Sequence, residues 1–183
     1  MTMNIRYGTF ETNSSSVHTI VFHKTDMTNV IDDRYMDIHG GEYGRYPQEC
    51  LSNIEDRLNY LWTGIWDINI NYEKDDNGWH QTVNREELQW WKDAIHLYCP
   101  NAVLYDIDEN DWYGVDHADC LINLFAAMKK DISILKDFLL DPFGEINITG
   151  DEYEDYDYDR YYNTEQEQLT EFELDTFVYI KGN

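Results

Sequence analysis

The longest stretch of helical periodicity in the chain lies between residues 114 and 141. Its apolar residues recur at steps of three and four, the spacing that places them on one face of an amphipathic helix; they are Leu121, Leu124, Phe125, Met128, Ile132, Leu135 and Leu139. Asp116 is a suitable N-cap, and Pro142 would stop the helix at its other end. The pattern predicts one long core helix over residues 116–140, around which the fold is organised.

Two other segments show the same helical spacing. The first begins near Pro47 and runs through Asp67, and its apolar stripe consists of Leu51, Ile54, Leu58, Leu61 and Ile65. The second begins at Asn84, which resembles a capping box with Glu87, and ends before Pro100; its apolar residues are Leu88, Trp91 and Ile95. Residues 69–78, between the two helices, predict a polar connector.

Alternation of apolar and polar residues predicts strands near both ends of the chain. Residues 4–10 and 17–23 are separated by the turn sequence ETNSSS and predict a paired hairpin. Residues 102–107 and 145–149 predict two more strands, and alternation over residues 172–180 predicts a last strand that rejoins the sheet. These elements predict an α+β fold, in which a mostly antiparallel sheet packs against about three helices.

Composition indicates a single domain over residues 1–183. The chain is 42% hydrophobic and 15% aromatic, which supplies enough apolar surface for one core. No apolar run approaches the roughly 18 residues of a membrane span, and the first residues lack the pattern of a signal peptide. Three widely separated cysteines do not form a disulfide framework. We therefore expect a soluble intracellular protein and favour a monomer.

The formal net charge of −24 is the strongest global feature. Because nucleic-acid binding depends on Lys and Arg displacing counterions, this charge argues against direct nucleic-acid binding and favours a basic protein partner. The charge is densest in an acidic, tyrosine-rich loop at about residues 151–167, which is either a solvated loop or a presented surface. The candidate partner-binding residues are Asp151, Glu152, Glu154, Asp155, Asp157 and Asp159.

Two His-x2-Cys pairs are candidate metal ligands: His96 with Cys99, and His117 with Cys120. Imidazole nitrogen and thiolate sulfur suit zinc, and two such pairs fit the general spacing of paired-knuckle zinc sites. In the predicted central helix, His117 and Cys120 lie one turn apart on the inward face. The alternative is that these residues belong to the core, since cysteine is among the most buried residue types.

Other candidate functional residues lie earlier in the chain. The predicted hairpin contains His18 and His23, either of which could be a second metal-binding histidine beside His117. Glu42, in the glycine-flanked sequence GGEYG, places a lone carboxylate on backbone that can approach a ligand closely, although a plain surface turn is the alternative.

Two arrangements are possible nucleophile and base pairs. Ser14, Ser15 and Ser16 with His18 form one, but serines in turns usually cap their own backbone. Cys120 with His117 is the other, and its predicted buried face gives a substrate poor access. P-loop, GxGxxG, HExxH and GxSxG patterns are absent from the sequence. The sequence contains no strong enzyme signature.

Four short motifs also carry a resemblance to known proteins: GTFETNSSSVHTIVF, GGEYG, VDH and ITGDE. They resemble a family of small proteins encoded by phages and mobile elements of Gram-positive bacteria. Within that group, the acidity and size resemble anti-CRISPR proteins that act on type II-A Cas9, and in particular a metal-containing member from a Streptococcus phage.

The resemblance implies a shared metal site at His18, Glu42 and His117, which occupy motif positions, with zinc in a structural role. Cys120 is the candidate fourth ligand. The family motif continues with small polar residues after the histidine, whereas this chain has Ala118, Asp119 and Cys120. The identity of the fourth ligand therefore stays open.

The implied function is inhibition of Cas9 in the cytoplasm of a bacterial host. An acidic face would occupy a basic surface of Cas9, with the recognition lobe as the favoured docking site, and block the loading of target DNA. One alternative is a zinc hydrolase of a mobile element in which His18, Glu42 and His117 leave a coordination position for water. Another is an acidic accessory protein that binds a different phage or host partner.

Overall fold

The computed structural model describes residues 6–7, 17–24, 30–44, 49–75, 78–107, 113–115, 121–149 and 177–182. Its helices are α1 (Ile54–Asn69), α2 (Arg85–His96), α3 (Leu121–Lys130) and α4 (Ser133–Leu140). Its strands are β1 (Arg6–Tyr7), β2 (Val17–His23), β3 (Met36–Ile38), β4 (Glu42–Tyr43), β5 (Glu49–Leu51), β6 (Ile70–Asp75), β7 (Gly78–Val83), β8 (Ala102–Leu104), β9 (Gly114–Val115), β10 (Glu145–Thr149) and β11 (Phe177–Gly182). The predicted α+β class is confirmed.

The main sheet has five strands in the order β1-β11-β2-β10-β5. Strand β2 pairs antiparallel with both β10 and β11, β10 pairs antiparallel with β5, and β1 pairs parallel with β11. Three two-stranded ribbons complete the strands of the described residues: β3 with β8 and β4 with β9, both parallel, and β6 with β7, antiparallel. No helix of these residues is both long and apolar enough to cross a membrane.

The predicted hairpin near the N-terminus is wrong, whereas the predicted closing strand is confirmed. Strand β11 lies between β1 and β2, so the two N-terminal strands are not hydrogen-bonded neighbours. The six residues of β11 pair with β2 along its length, whereas β1 contributes two residues. This six-residue ladder satisfies the backbone groups along one edge of β2, so that edge is not left for a local hairpin partner.

In the described part of the predicted long helix 116–140, residues 121–140 form two helices. The chain breaks at Asp131, whose carboxylate accepts the backbone N–H of Ser133 at 3.0 Å and its hydroxyl at 2.7 Å. A short acidic side chain that bonds its own backbone two residues on competes with helix continuation, which explains the break. Residues 116–120, with the predicted N-cap, lie outside the described residues.

Helix α1, rather than the predicted 116–140 segment, is the central helix. Its buried residues surround nearly the whole helix: Ile54, Arg57, Leu58, Tyr60, Leu61, Trp62, Thr63, Gly64, Ile65 and Trp66. The helix begins after Asn53, whose side chain accepts the backbone N–H of Asp56 at 2.9 Å, so the predicted start near Pro47 is wrong. Strand β5 precedes the helix, and hairpin β6–β7 occupies most of the predicted connector 69–78.

Arg57 joins α1 to the end of α4. It is only 3% exposed, and its guanidinium donates to the carbonyls of Phe138 at 2.7 Å, Leu139 at 3.1 Å and Asp141 at 2.8 Å. Burial lowers the pKa of this guanidinium, and the negative Asp141 opposes that effect. A cation at a helix C-terminus satisfies carbonyls that have no partner within the helix. A Cβ on Gly144 would lie 2.0 Å from Arg57 Nη1, so the guanidinium also fills the space that this glycine leaves.

Arg57→Met should lower the free energy of unfolding by about 3 kcal/mol, because it leaves three buried carbonyls without their donor. Urea denaturation measures the change. Arg85→Met is the matched control, since its ion pair with Asp106 is exposed on both sides and should cost less than about 1 kcal/mol. Equal losses for the two variants would show that Arg57 does not hold the helices together.

Candidate functional site

Helix α1 holds the GGEYG turn by two polar side chains. Asn59 Oδ1 accepts the backbone N–H groups of His39 and Gly40, both at 3.1 Å. Thr63 Oγ1 accepts the backbone N–H of Gly41 at 3.0 Å. Because Asn59 and Thr63 are one helical turn apart, they meet consecutive amides of the turn. The turn is therefore docked on the central helix.

The backbone of this turn requires glycine at its first position. Gly40 has a φ of 85°, in the region that favours glycine, and an added Cβ would lie 2.7 Å from the side chain of Ile107. Tyr43 and Gly44 at the other end are buried. Burial raises the pKa of the Tyr43 phenol, and nearby Glu49 and Asp56 add to the effect. Glu42 therefore sits on a constrained segment, as its glycine-flanked sequence suggests.

His18 approaches the same region through aromatic contacts. It is 1% exposed, and its Nδ1 lies 2.9 Å from the hydroxyl of Tyr60. The Tyr60 ring in turn packs against the Tyr43 ring at 5.1 Å between centroids, and Tyr43 follows Glu42 in β4. The two motifs that contain His18 and Glu42 are thus connected through one tyrosine of α1.

Ribbon β4–β9 places Val115, the first residue of the VDH motif, next to the strand that contains Glu42. Glu42 is the register partner of Gly114, and Tyr43 is the partner of Val115. The backbone N–H of Val115 donates to Asp67 Oδ2 at 2.6 Å, which ties this ribbon to the end of α1. His117 follows Val115 by two positions and, like Cys120, lies outside the described residues.

The predicted metal site stays a prediction. Two of its four residues, His18 and Glu42, are described, and both carry donor types that zinc accepts. Within the described ranges, no group of three His, Cys, Asp or Glu residues is placed to hold a metal ion. His117 and Cys120 would have to complete the site.

The alternative ligand pair has the features of core residues. His96 Nε2 lies 2.9 Å from the carbonyl of Ala102, so this nitrogen holds the end of α2 against β8. Cys99 is fully buried, and burial raises the pKa of its thiol to about 12. Zinc requires the thiolate, so this environment opposes metal binding and favours a structural role for the pair.

The acidic candidates of the loop at about 151–167 also lie outside the described residues. They are Asp151, Glu152, Glu154, Asp155, Asp157 and Asp159. Comparisons with protein-family models, with curated proteins and with solved structures gave no match. The family resemblance and the partner it implies therefore remain predictions.

Sequence reasoning missed Asp67. Burial raises the pKa of its carboxyl to about 6, although the hydrogen bond from Val115 opposes the shift. The sequence shows only that an acidic residue follows the apolar segment that ends at Trp66. That pattern is typical of the end of a helix and does not indicate a functional carboxylate. Its role depends on β9, which is distant in sequence.

The free energy of unfolding of Asp67→Asn, taken relative to that of the unmodified protein, should increase as pH rises from 5 to 8. The folded-state pKa of about 6 lies above the ordinary 3.8, so the folded protein retains a proton that the unfolded chain releases between these values. Ionisation at Asp67 therefore costs stability as pH rises through this window and the cost levels off above it. Urea unfolding at pH 5, 6, 7 and 8 gives the difference between the two proteins.

Asp93→Asn, on the exposed side of α2, is the control for removing one carboxylate. The prediction would be contradicted if the difference in unfolding free energy between Asp67→Asn and the unmodified protein stayed the same at all four pH values. It would also be contradicted if Asp93→Asn showed the same pH dependence.

Protein purified without an affinity tag should contain about one zinc ion per chain. His117→Ala should remove the metal and lower the melting temperature, because binding free energy is part of folding free energy at a structural site. His96→Ala should keep the metal. Elemental analysis and thermal unfolding measure both quantities. Metal well below one equivalent would contradict the site, and metal loss at unchanged stability would favour a zinc hydrolase.

Proposed function

We propose that this protein is an acidic inhibitor that binds Cas9 of type II-A and blocks the loading of target DNA. The observation that carries the proposal is the net charge of −24, which favours a basic protein surface over nucleic acid. Cas9 is the proposed target because the four motifs resemble a family of phage-encoded proteins, within which the acidity and size of this chain resemble anti-CRISPR proteins that act on type II-A Cas9. The basic surface of its recognition lobe is the favoured docking site.

The described cations support this choice of partner, because several are already engaged with carboxylates. Arg34 contacts Asp32, Arg85 and Lys92 both contact Asp106, and Lys129 contacts Glu87. Arg57 is buried against helix carbonyls. Side chains in these positions are poorly placed to displace counterions from a phosphate backbone.

Inhibition without covalent change requires one inhibitor for each target. The acidic loop at about 151–167 would supply carboxylates that match a basic surface, and its tyrosines would supply contact area. A zinc ion held by His18, Glu42, His117 and Cys120 would stabilise the fold. In this proposal the loop residues bind the partner and the zinc ligands stabilise the fold, and no residue has a catalytic role.

Cas9 cleavage should therefore be abolished near one inhibitor per Cas9, with the Cas9 chain and guide RNA intact. Guide-bound Cas9 without DNA should be inhibited, whereas Cas9 already loaded with target DNA should resist.

Replacing Asp155, Asp157 and Asp159 by Asn should weaken association with Cas9, and binding of the wild-type protein should weaken as the salt concentration rises. Cleavage assays with varied order of addition and binding titrations measure these effects.

The matched control replaces three exposed acids of the described helices, Glu55, Glu86 and Asp93, by their amides. It removes the same charge from another surface, so a larger loss with the loop variant assigns binding to the loop. Equal inhibition of DNA-loaded Cas9 would rule out competition for loading. Silencing of a large excess of Cas9 by trace protein would indicate an enzyme.

A further inference from the structure

The outer face of ribbon β3–β8 is an exposed aromatic surface. The two strands pair in parallel, with Asp37 opposite Val103. Side chains alternate between faces along a strand, and the inward set is buried: Met36, Ile38, Ala102 and Leu104. The outward set, called here the tyrosine face, consists of Tyr35, Asp37, His39, Val103 and Tyr105. Tyr35 is 67% exposed and Tyr105 is 41% exposed, so two large rings are available to a partner.

Asp37 organises this face. Its Oδ1 accepts the hydroxyl of Tyr35 at 2.8 Å and that of Tyr105 at 3.2 Å. His39 stacks on Tyr105 with ring centroids 4.3 Å apart and an interplanar angle of 9°. The rings are therefore held in place before any partner arrives, which lowers the entropy cost of binding. The described ion pairs of Lys and Arg residues are made with carboxylates other than that of Asp37; these cations are Arg34, Arg85, Lys92, Lys129 and Lys136.

An acidic groove continues from one side of the tyrosine face. It has a volume of about 540 Å³, and its polar lining includes Asp37, His39, Glu49, Asp56 and Asn59. Burial raises the pKa of Glu49, and the negative Asp56 adds to the effect. Glu49 Oε2 is removed from solvent and accepts no hydrogen bond from the described residues. Among the residues that the structure describes, the groove lining contains carboxylates and no Lys or Arg.

We infer that the tyrosine face and the adjoining acidic groove bind an arginine-bearing basic segment of a protein partner. A guanidinium group can stack on an exposed tyrosine ring while its N–H donors reach Asp37. A second guanidinium in the groove would supply donors to Glu49 and offset its repulsion with Asp56. Lysine provides a single charge without the planar fork, so the site prefers arginine.

The inference rests on the proposed function in taking a basic protein as the partner, and it adds the part of that partner which is recognised. It uses residues outside the acidic loop. The two surfaces can therefore be tested separately.

The test uses two ten-residue peptides, one of alternating arginine and glycine and one with lysine in place of arginine. Isothermal titration calorimetry near physiological salt should show that the arginine peptide binds the full-length protein severalfold more tightly. The double variant Tyr35→Ala with Asp37→Asn should lose about tenfold in affinity for the arginine peptide. Tyr35→Phe, which keeps the ring, should lose less.

The matched control is Tyr113→Ala with Asp93→Asn, which removes another exposed tyrosine and another exposed acid. It should change the affinity for the arginine peptide by less than about twofold, because a single exposed charge contributes little to binding. Circular dichroism and thermal unfolding confirm that both double variants fold. Equal losses for the two variants, or equal affinity for the two peptides, would overturn the inference and leave only general charge attraction.

Cas9 assays with the same variants separate this inference from the proposed function. If the wild-type protein binds the arginine peptide at this face but does not inhibit Cas9, the proposed function falls and the inference stands. If the wild-type protein inhibits Cas9 and the double variant keeps both inhibition and peptide affinity, the inference falls and the proposed function stands.

Discussion

The buried guanidinium of Arg57 is the contact on which the arrangement of helices and sheet depends. It links α1 to the last carbonyls of α4 and to the carbonyl of Asp141. The carboxylate of Asp141 then accepts the backbone N–H of His23 at 2.6 Å and that of Phe143 at 2.9 Å. One cation and one carboxylate therefore connect the central helix, the end of α4 and strand β2 of the main sheet. Partial satisfaction of such a buried network would be costly, because each orphaned group loses its hydration.

Another side of α1 positions the candidate site. Asn59, Thr63 and Asp67 are spaced four residues apart and so form one polar stripe along the helix. The first two hold the GGEYG turn, and the third holds β9 through Val115. This stripe explains how the GGEYG turn and Val115 of the VDH motif, which are distant in sequence, meet at one helix. It also makes the site depend on a helix most of whose other residues are buried, so the site is built on a rigid element.

Apolar periodicity predicted the fold class and the helical regions because it reports which residues are buried. It could not predict the break at Asp131, where a local hydrogen bond to Ser133 outweighs a continuous apolar stripe. It also could not predict that β11 enters between β1 and β2, because strand partners are chosen by contacts between distant residues. For the site, the motif resemblance pointed to His18 and Glu42, which the structure connects through Tyr60 and Tyr43. Asp67 acts through Val115 of β9, and Asp37 acts partly through Tyr105, which follows β8, so local sequence patterns do not reveal these roles.

The position of β11 has a consequence for how the chain folds. Strand β2 lies between β10 and β11, and His18 pairs with Gly182, so the centre of the main sheet joins segments far apart in sequence. Contacts of this kind slow folding, because the chain loses the entropy of closing long loops before the strand pairing stabilises it. During synthesis, β2 keeps one edge without its final partner until residues 177–182 have left the ribosome. Exposed strand edges promote association between chains, and the mutual repulsion of strongly acidic nascent chains opposes it during that interval.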